Sequence, residues 1–292
     1  MRAAGEPRLP LEARGRRLLA ALQRQADRTR VGGWTFEFLM FGLKQAWACL
    51  FGGAMLALLV GTHLLWPDES PVARYDFLVI GALAIQAAML ALRLESWEEA
   101  RVILVFHVVG TIMELFKTAA GSWIYPEPSL LRIGEVPLFS GFMYAAVGSY
   151  LARVWRIFDF RFTGYPPAWT TWLLAAAVYV NFFAHHWLPD VRLGLFAVTA
   201  VLFWRCRVHF TPDRKERWMP LLLGFGLVAL FIWFAENLGT FARAWIYPSQ
   251  EHGWAPVSLA KLGSWYLLMI ISFVLVATLH RPDGKAAAQP SQ

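Results

Sequence analysis

The chain is short of charge. Of its 292 residues only 16% are Asp, Glu, Lys or Arg, while 58% are hydrophobic. A soluble domain carries roughly 25% charged residues, so this composition argues against a water-facing surface all round. Cysteine is scarcer still: Cys49 and Cys206 lie in separate apolar stretches. That excludes a CxxC redox pair and a cysteine-rich zinc site, and both read as small packing residues. There is no phosphate-binding glycine loop, no nucleophile elbow and no HExxH. ATP hydrolysis and metalloprotease chemistry are therefore disfavoured, and no cofactor is expected. His185, His186 and Asp190 cluster in AHHWLPD, but adjacent histidines point to different helix faces, so no metal is expected either. Residues 1–33 hold eight Arg and no apolar core of a leader, so no cleaved signal is expected.

What is present is a series of apolar blocks, each about as long as the roughly 20 helical residues that span a bilayer. Fifteen Trp and 22 Phe point the same way, because aromatic rings gather at the headgroup level. Eight blocks are expected to span, at about 36–63, 76–93, 102–124, 137–155, 168–187, 191–207, 219–246 and 256–279. The fold class expected is an all-α membrane protein of about eight transmembrane helices. Arg and Lys alternate between the connecting segments: rich after even-numbered spans and before the first, sparse elsewhere. Short basic loops stay cytoplasmic, which predicts both termini inside. The net charge of +7 is then a membrane signature, and no nucleic acid partner is expected. Three segments follow: a basic extension over 1–33, one membrane domain over 34–281 and a cytoplasmic tail over 282–292. In the extension, Leu11, Leu18 and Leu22 share a stripe over 9–30. It reads either as an amphipathic surface helix or as a partly disordered basic tail, broken at Gly32 and Gly33.

An internal repeat carries more information. ELFKTAAGSWIYP at 114–126 and ENLGTFARAWIYP at 236–248 superpose on a shift of 122 positions, Glu114 on Glu236 and Trp123-Ile124-Tyr125-Pro126 on Trp245-Ile246-Tyr247-Pro248. Gly141 then falls on Gly263 and Tyr144 on Tyr266. Four spans to a half restore the chain to its starting side, so the expectation is two parallel four-helix repeats, about 34–160 and 161–281, around an axis along the membrane normal.

Glu114 and Glu236 fall inside apolar helices, nine residues before the Trp of the outer interface. At 1.5 Å per residue that is about 13 Å deep, near the midplane. A carboxylate there costs at least roughly 2.5–3.5 kcal/mol and by default marks function, although it could also hold the halves together by hydrogen bonding. These two are the candidate catalytic residues, with His107 two turns below Glu114. The repeat equivalent of His107 is Ala229, so this histidine is either a specialised group or a core residue. The candidate substrate-binding residues are Lys117, Trp123, Tyr125, Asn237, Trp245, Tyr247 and Lys44. Lys117 is placed to pair with Glu114 one turn away. Lys44 is placed as a counter-charge to a glutamate or to snorkel to the interface. The WIYP segments also suit an interfacial belt.

With WTFEFLMFGLKQAWACLFG, ELFKTAAGSWIYPEP and ENLGTFARAWIYP on the page, the chain resembles the bacterial membrane family catalogued as domain of unknown function 817, over roughly residues 34–281. That resemblance implies an integral membrane protein and no particular activity. A weaker similarity is to membrane-embedded lycopene cyclases and carotenoid hydratases, which place an intramembrane acid before a Trp-x-Tyr segment. Their Pro-x-Glu-Glu type of motif is missing here. Three functions remain open: a cofactor-free acid–base enzyme on an apolar or isoprenoid lipid, a proton-coupled transporter, and a non-catalytic scaffold. The partner expected is a membrane lipid or apolar small molecule. Few Gly or Pro interrupt the spans, Gly224 and Gly226 being the nearest to a broken-helix signal.

Overall fold

A computed structural model describes residues 19, 21–67 and 69–280; Leu11 and Leu18 of the basic extension and the tail over 282–292 lie outside them. Every expected apolar block is helical, with edges moved by a few residues. The first block is two helices, α1 (Arg30–Ala48) and α2 (Leu50–Leu65), bent by 66° at Cys49. There follow α3 (Arg74–Ala91), α4 (Trp97–Ala119), α5 (Phe139–Ile157) and α6 (Ala168–Ala184), then α7 (Arg192–Phe203), α8 (Leu221–Phe241) and α9 (Leu259–His280). Of these, α3, α4, α8 and α9 are long and apolar enough to cross a membrane, and the bent pair α1–α2 makes a fifth candidate. α6 and α7 are apolar but shorter, at 17 and 12 residues.

α5 is long yet less apolar, and its position explains why. It packs against α4 along its length and also meets α1, α2, α3 and α9. Arg153 on it is fully buried, 3.0 Å from Glu95, whose carboxylate also accepts from Ser149 at 3.0 Å and Gln86 at 2.5 Å. A buried ion pair holds only where its remaining hydrogen bonds are supplied as well. Three partners supply most of them here, since Arg153 also donates to the Trp47 carbonyl at 3.2 Å, and among the described residues only its Nε is left without one. One turn on, Arg156 pairs with Glu99 at 2.9 Å. Glu99 also closes the capping box that starts α4, accepting from the Ser96 N–H.

At the other end of the bundle, the N-terminus of α3 is tied to the connection after α4. Asp76 accepts from Ser129 Oγ and from the N–H groups of Leu130 and Leu131 at 2.7–2.9 Å. Arg74 forks onto Glu127 at 2.6 and 2.7 Å and donates to the carbonyl of Ala242 at 3.0 Å.

Three connections expected as loops contain strands, and these form two short sheets. β1 (Arg132–Ile133) and β2 (Val136–Pro137) form a hairpin turning at Gly134, whose φ is +58°. Three antiparallel strands, β3 (Arg161–Thr163), β4 (Arg207–Phe210) and β5 (Arg217–Pro220), join the connections after α5 and α7. This sheet holds α1: Arg217 forks onto Glu37 and Lys44 donates to the Thr211 carbonyl at 2.9 Å. The break expected at Gly32 and Gly33 falls earlier, at 27–29 after a helical stretch over 21–26. Thr29 is the reason: its hydroxyl caps the Gly32 N–H at 3.0 Å, so both glycines lie in the first turn of α1, where cap strength outweighs glycine's low propensity.

Candidate functional site

The site grows out of two helix ends that match residue for residue. α4 stops at Ala119 and α8 at Phe241, positions related by the 122-residue shift. Each end is closed by the same pair of bonds. Ser122 N–H reaches the Lys117 carbonyl and Gly121 N–H the Thr118 carbonyl; Ala244 and Arg243 do likewise to Gly239 and Thr240. These are the 6→1 and 5→2 bonds of the Schellman turn. The turn residue is left-handed in both, Gly121 at φ +69° and Arg243 at φ +51°. The chain then doubles back, and the two Trp-Ile-Tyr segments lie side by side: Ile124 and Ile246 form an antiparallel bridge.

Doubling back brings the aromatic residues onto the helix they have just left. Tyr125 OH donates to Glu114 at 2.6 Å, Trp123 Nε1 donates to the same oxygen at 2.6 Å, and Tyr144 OH from α5 donates to the other oxygen at 2.7 Å. In the second half Tyr247 OH donates to Glu236, the same spacing of 11 residues, and Trp265 Nε1 of α9 donates to the second oxygen. Both glutamates are buried, 4% and 3% exposed. The two carboxyls share one neighbourhood, for both line a single cavity.

The halves differ at one position with a large consequence. Gly239 stands where the first half has Lys117. A side chain on Gly239 would begin 2.3 Å from the Trp245 ring, so that indole fills the space and does not reach Glu236. In the first half the lysine holds the equivalent position and Trp123 turns to Glu114 instead.

Both glutamates line a cavity of about 940 Å³. Its walls are largely apolar, among them Phe41, Leu56, Val147, Val228 and Leu268. At one end the lining turns basic, with Lys117 in the last turn of α4, Lys261 in the first turn of α9 and Arg192 in the first turn of α7. Lys117 Nζ lies 3.1 Å from His186 Nε2 and 4.0 Å from the centre of the Phe182 ring. Lys261 Nζ lies over Tyr247 at 4.1 Å and over Trp123 at 5.5 Å. Elsewhere the wall reaches the outside of the bundle: Phe38 on α1 and Phe231 halfway along α8 line the cavity and are 71% and 70% exposed.

Of the residues singled out from sequence, the structure gathers Glu114, Glu236, Lys117, Trp123, Tyr125, Trp245 and Tyr247 around this one cavity. Lys117 does not pair with Glu114; its ammonium turns to His186. Three others lie elsewhere. His107 rests in the α4–α5 contact, its ring 4.4 Å from Phe142 and against Gly141, where any side chain would strike it. Asn237 accepts from the Val257 N–H at 2.9 Å and donates to the Trp233 carbonyl at 2.8 Å, clamping the approach to α9 onto α8. Lys44 bonds the Thr211 carbonyl, not a glutamate, because the sheet edge offers it a partner near its own end of α1. Lys261 and Trp265 complete the site without having been singled out, as does Tyr144, noted only for its repeat match to Tyr266. Lys261 was legible as the lone charge within the apolar block LAKLGSWYLLMII. Trp265 carried no such mark, since its repeat equivalent is Met143. Among the described residues no group of three or more His, Cys, Asp or Glu is placed to hold a metal.

Apolar helices of spanning length around a partly polar cavity define a membrane protein built of helices. The chain belongs to the family described as "Protein of unknown function (DUF817)", whose model matches residues 37–273. It is also similar to "Uncharacterized protein YoaT" of Bacillus subtilis (strain 168), 42% identical over 245 residues, covering 84% of this chain and 92% of that protein. No solved structure matches. None of these comparisons returns a carotenoid cyclase.

Proposed function

We propose that this is a multi-pass protein of the bacterial inner membrane that takes an apolar-chained molecule from the bilayer and acts on it by cofactor-free acid–base chemistry. In this reading residues 34–281 form one domain of eight spans in two parallel four-helix repeats, with both termini cytoplasmic. The matching helix ends and the reciprocal bridge at Ile124 and Ile246 support the repeat. The alternation of Arg-rich connections supports the orientation. The basic extension over 1–33 and the tail over 282–292 then face the cytoplasm.

One observation carries the functional reading: two buried carboxyls line the same apolar cavity, and that cavity's wall reaches the bundle exterior beside them at Phe231. Phe231 is five residues before Glu236, about 7.5 Å along the helix, so a chain entering from lipid arrives at the carboxyls. One glutamic acid gives its proton to a carbon–carbon double bond, forming a C–H bond from the π pair. The other carboxylate removes a proton from a neighbouring carbon, and the double bond re-forms in a new position. The net change is an isomerisation that needs no oxidant and no cofactor. The indole and phenol faces of Trp123, Tyr125, Tyr247 and Trp265 stabilise the positive charge that develops between the two steps.

The second reading, proton-coupled transport, is favoured by the break at Cys49. Gly224 and Gly226 lie in unbroken α8, whereas the 66° bend between α1 and α2 borders the cavity, with Gly42, Gly52 and Gly53 in its wall. Broken helices facing a cavity are where transporters bind. The test is lipid extraction and mass spectrometry on cells making wild type, Glu114→Gln or Glu236→Gln at matched folded levels. A lipid species that changes with wild type and reverts in either variant supports the enzyme. An unaltered lipid profile from well-folded protein moves the reading to transport.

A further inference from the structure

The cavity's cations lack what its carboxylates have. Each glutamate is already provided with hydrogen-bond donors, three for Glu114 and two for Glu236. Lys117 and Lys261 have none of that balance. Lys117 is only 2% exposed, and its contacts are a histidine nitrogen and an aromatic face. Lys261 has two aromatic faces, and Glu236 attracts it through space without pairing with it. Among the described residues neither lysine forms an ion pair with a carboxylate. Both line the same cavity as Arg192. Burying like charges together without a counter-ion is costly; Arg192 has Asp190, whereas the two lysines have no carboxylate, and a bound anion relieves both.

Their origin points the same way. The repeat equivalent of Lys117 is Gly239, and that of Lys261 is Phe139. Neither charge follows from the duplication. One comes from the end of α4 and the other from the start of α9, and they meet at a single end of the cavity.

We infer that the ligand is an amphiphile whose anionic head, a phosphate monoester or a carboxylate, seats between Lys117 and Lys261 while its apolar chain runs past the glutamates toward Phe38. This names the substrate class of the proposed site and rests on reading the cavity as a substrate site. The head fixes the depth of the chain, so that the same carbons always lie beside Glu114 and Glu236. Arg192, held by Asp190 at 2.5 Å, adds its field at the basic end.

The test uses the full chain in a non-ionic detergent and three probes: ω-bromoundecyl phosphate, ω-bromoundecanol and inorganic phosphate. Bromine quenches indole fluorescence on contact, so binding is read from Trp123, Trp245 and Trp265 in the wall. The expected result is that the phosphate ester binds about tenfold more tightly than the alcohol, about 1.4 kcal/mol. Lys117→Met and Lys261→Met each bring the ester down to the alcohol, Lys261→Arg keeps the preference, and inorganic phosphate fails to displace the ester. Equal binding of ester and alcohol by wild type overturns the anionic head and leaves the cavity as an apolar substrate site. Quenching by neither probe overturns the cavity reading itself and this inference with it. Displacement of the ester by inorganic phosphate at equal affinity overturns the amphiphile and leaves a pocket for a free anion. The variants' elution as a single species on size exclusion shows that lost binding is not lost fold.

Discussion

Ile124 and Ile246 exchange both of their backbone hydrogen bonds, each N–H donating to the other's carbonyl at 3.0 Å. They are the same residue of the duplicated motif, so this pairing joins the halves through equivalent atoms. In the proposed reading of two repeats, a residue that meets its own equivalent lies on the axis relating them, as in an isologous contact between subunits. The bridge also decides where the aromatic residues point. With alternate side chains on opposite faces of an extended strand, Trp123 and Tyr125 share one face, and both reach Glu114.

This geometry predicts a cross-link. Antiparallel residues that exchange both bonds have Cα atoms about 5.5 Å apart, within the range of a disulfide. An Ile124→Cys, Ile246→Cys double variant should form an intramolecular disulfide, seen as a shift in mobility on a non-reducing gel that reductant reverses. Single variants should show no shift. If the double variant stays reduced under mild oxidant, the two WIYP segments are not paired in the membrane.

Gly239 gives a second prediction. A methyl there begins 2.3 Å from the Trp245 ring. Overpacking of this kind costs about 1–3 kcal/mol. Gly239→Ala should lower the melting temperature in detergent, whereas Gly53→Ala, with open space at its Cβ, should leave it within error. Equal melting of the two would mean that Trp245 is free to move.

Sequence and structure part company at identifiable places. The helices were legible because apolar length is a one-dimensional property. The bend at Cys49 was not, since neither proline nor glycine stands at that position and hydropathy does not register direction. The three-stranded sheet escaped for a different reason: β3 pairs with β4 across the whole of α6 and α7, Thr163 against Arg207 and Arg161 against His209, and no local pattern announces such pairing. At the site, the repeat located Glu114, Glu236 and both WIYP segments. It could not locate Lys261 or Trp265, because these belong to one half alone, and symmetry reveals only what both halves keep. Lys44 was picked for charge and depth and His107 for breaking the repeat, but Lys44 bonds the Thr211 carbonyl and His107 rests against the Phe142 ring.

The Arg153–Glu95 pair predicts non-additivity. Removing one partner of a buried ion pair leaves the other uncompensated, at about 3–5 kcal/mol. Arg153→Met alone should therefore be severely destabilising, and adding Glu95→Gln should recover a good part of the loss. Thermal unfolding of both single variants and the double variant forms the cycle. Additive losses would show that the pair contributes nothing as a pair.

Acid stability should depend on Asp190. Its carboxylate accepts from Asn181 Nδ2 and Arg192 N–H at 3.0 Å and from Arg192 Nε at 2.5 Å. Burial pushes its pKa up, but these bonds and the Arg192 charge outweigh burial and hold it below the usual carboxylate range. With the folded value depressed, the unfolded chain takes up the proton first. The stability contributed is then whole above about pH 4, the unfolded value, and is lost as pH falls through the lower folded value. Wild type should lose melting temperature more steeply than Asp190→Asn between about pH 5 and pH 2, and the two curves should converge at the acid end. Above pH 5 the variant should melt lower by a constant amount, because Arg192 has lost its anchor. Parallel curves through the whole range would show that Asp190 titrates no differently in the folded protein, and that Arg192 reaches the cavity without its help.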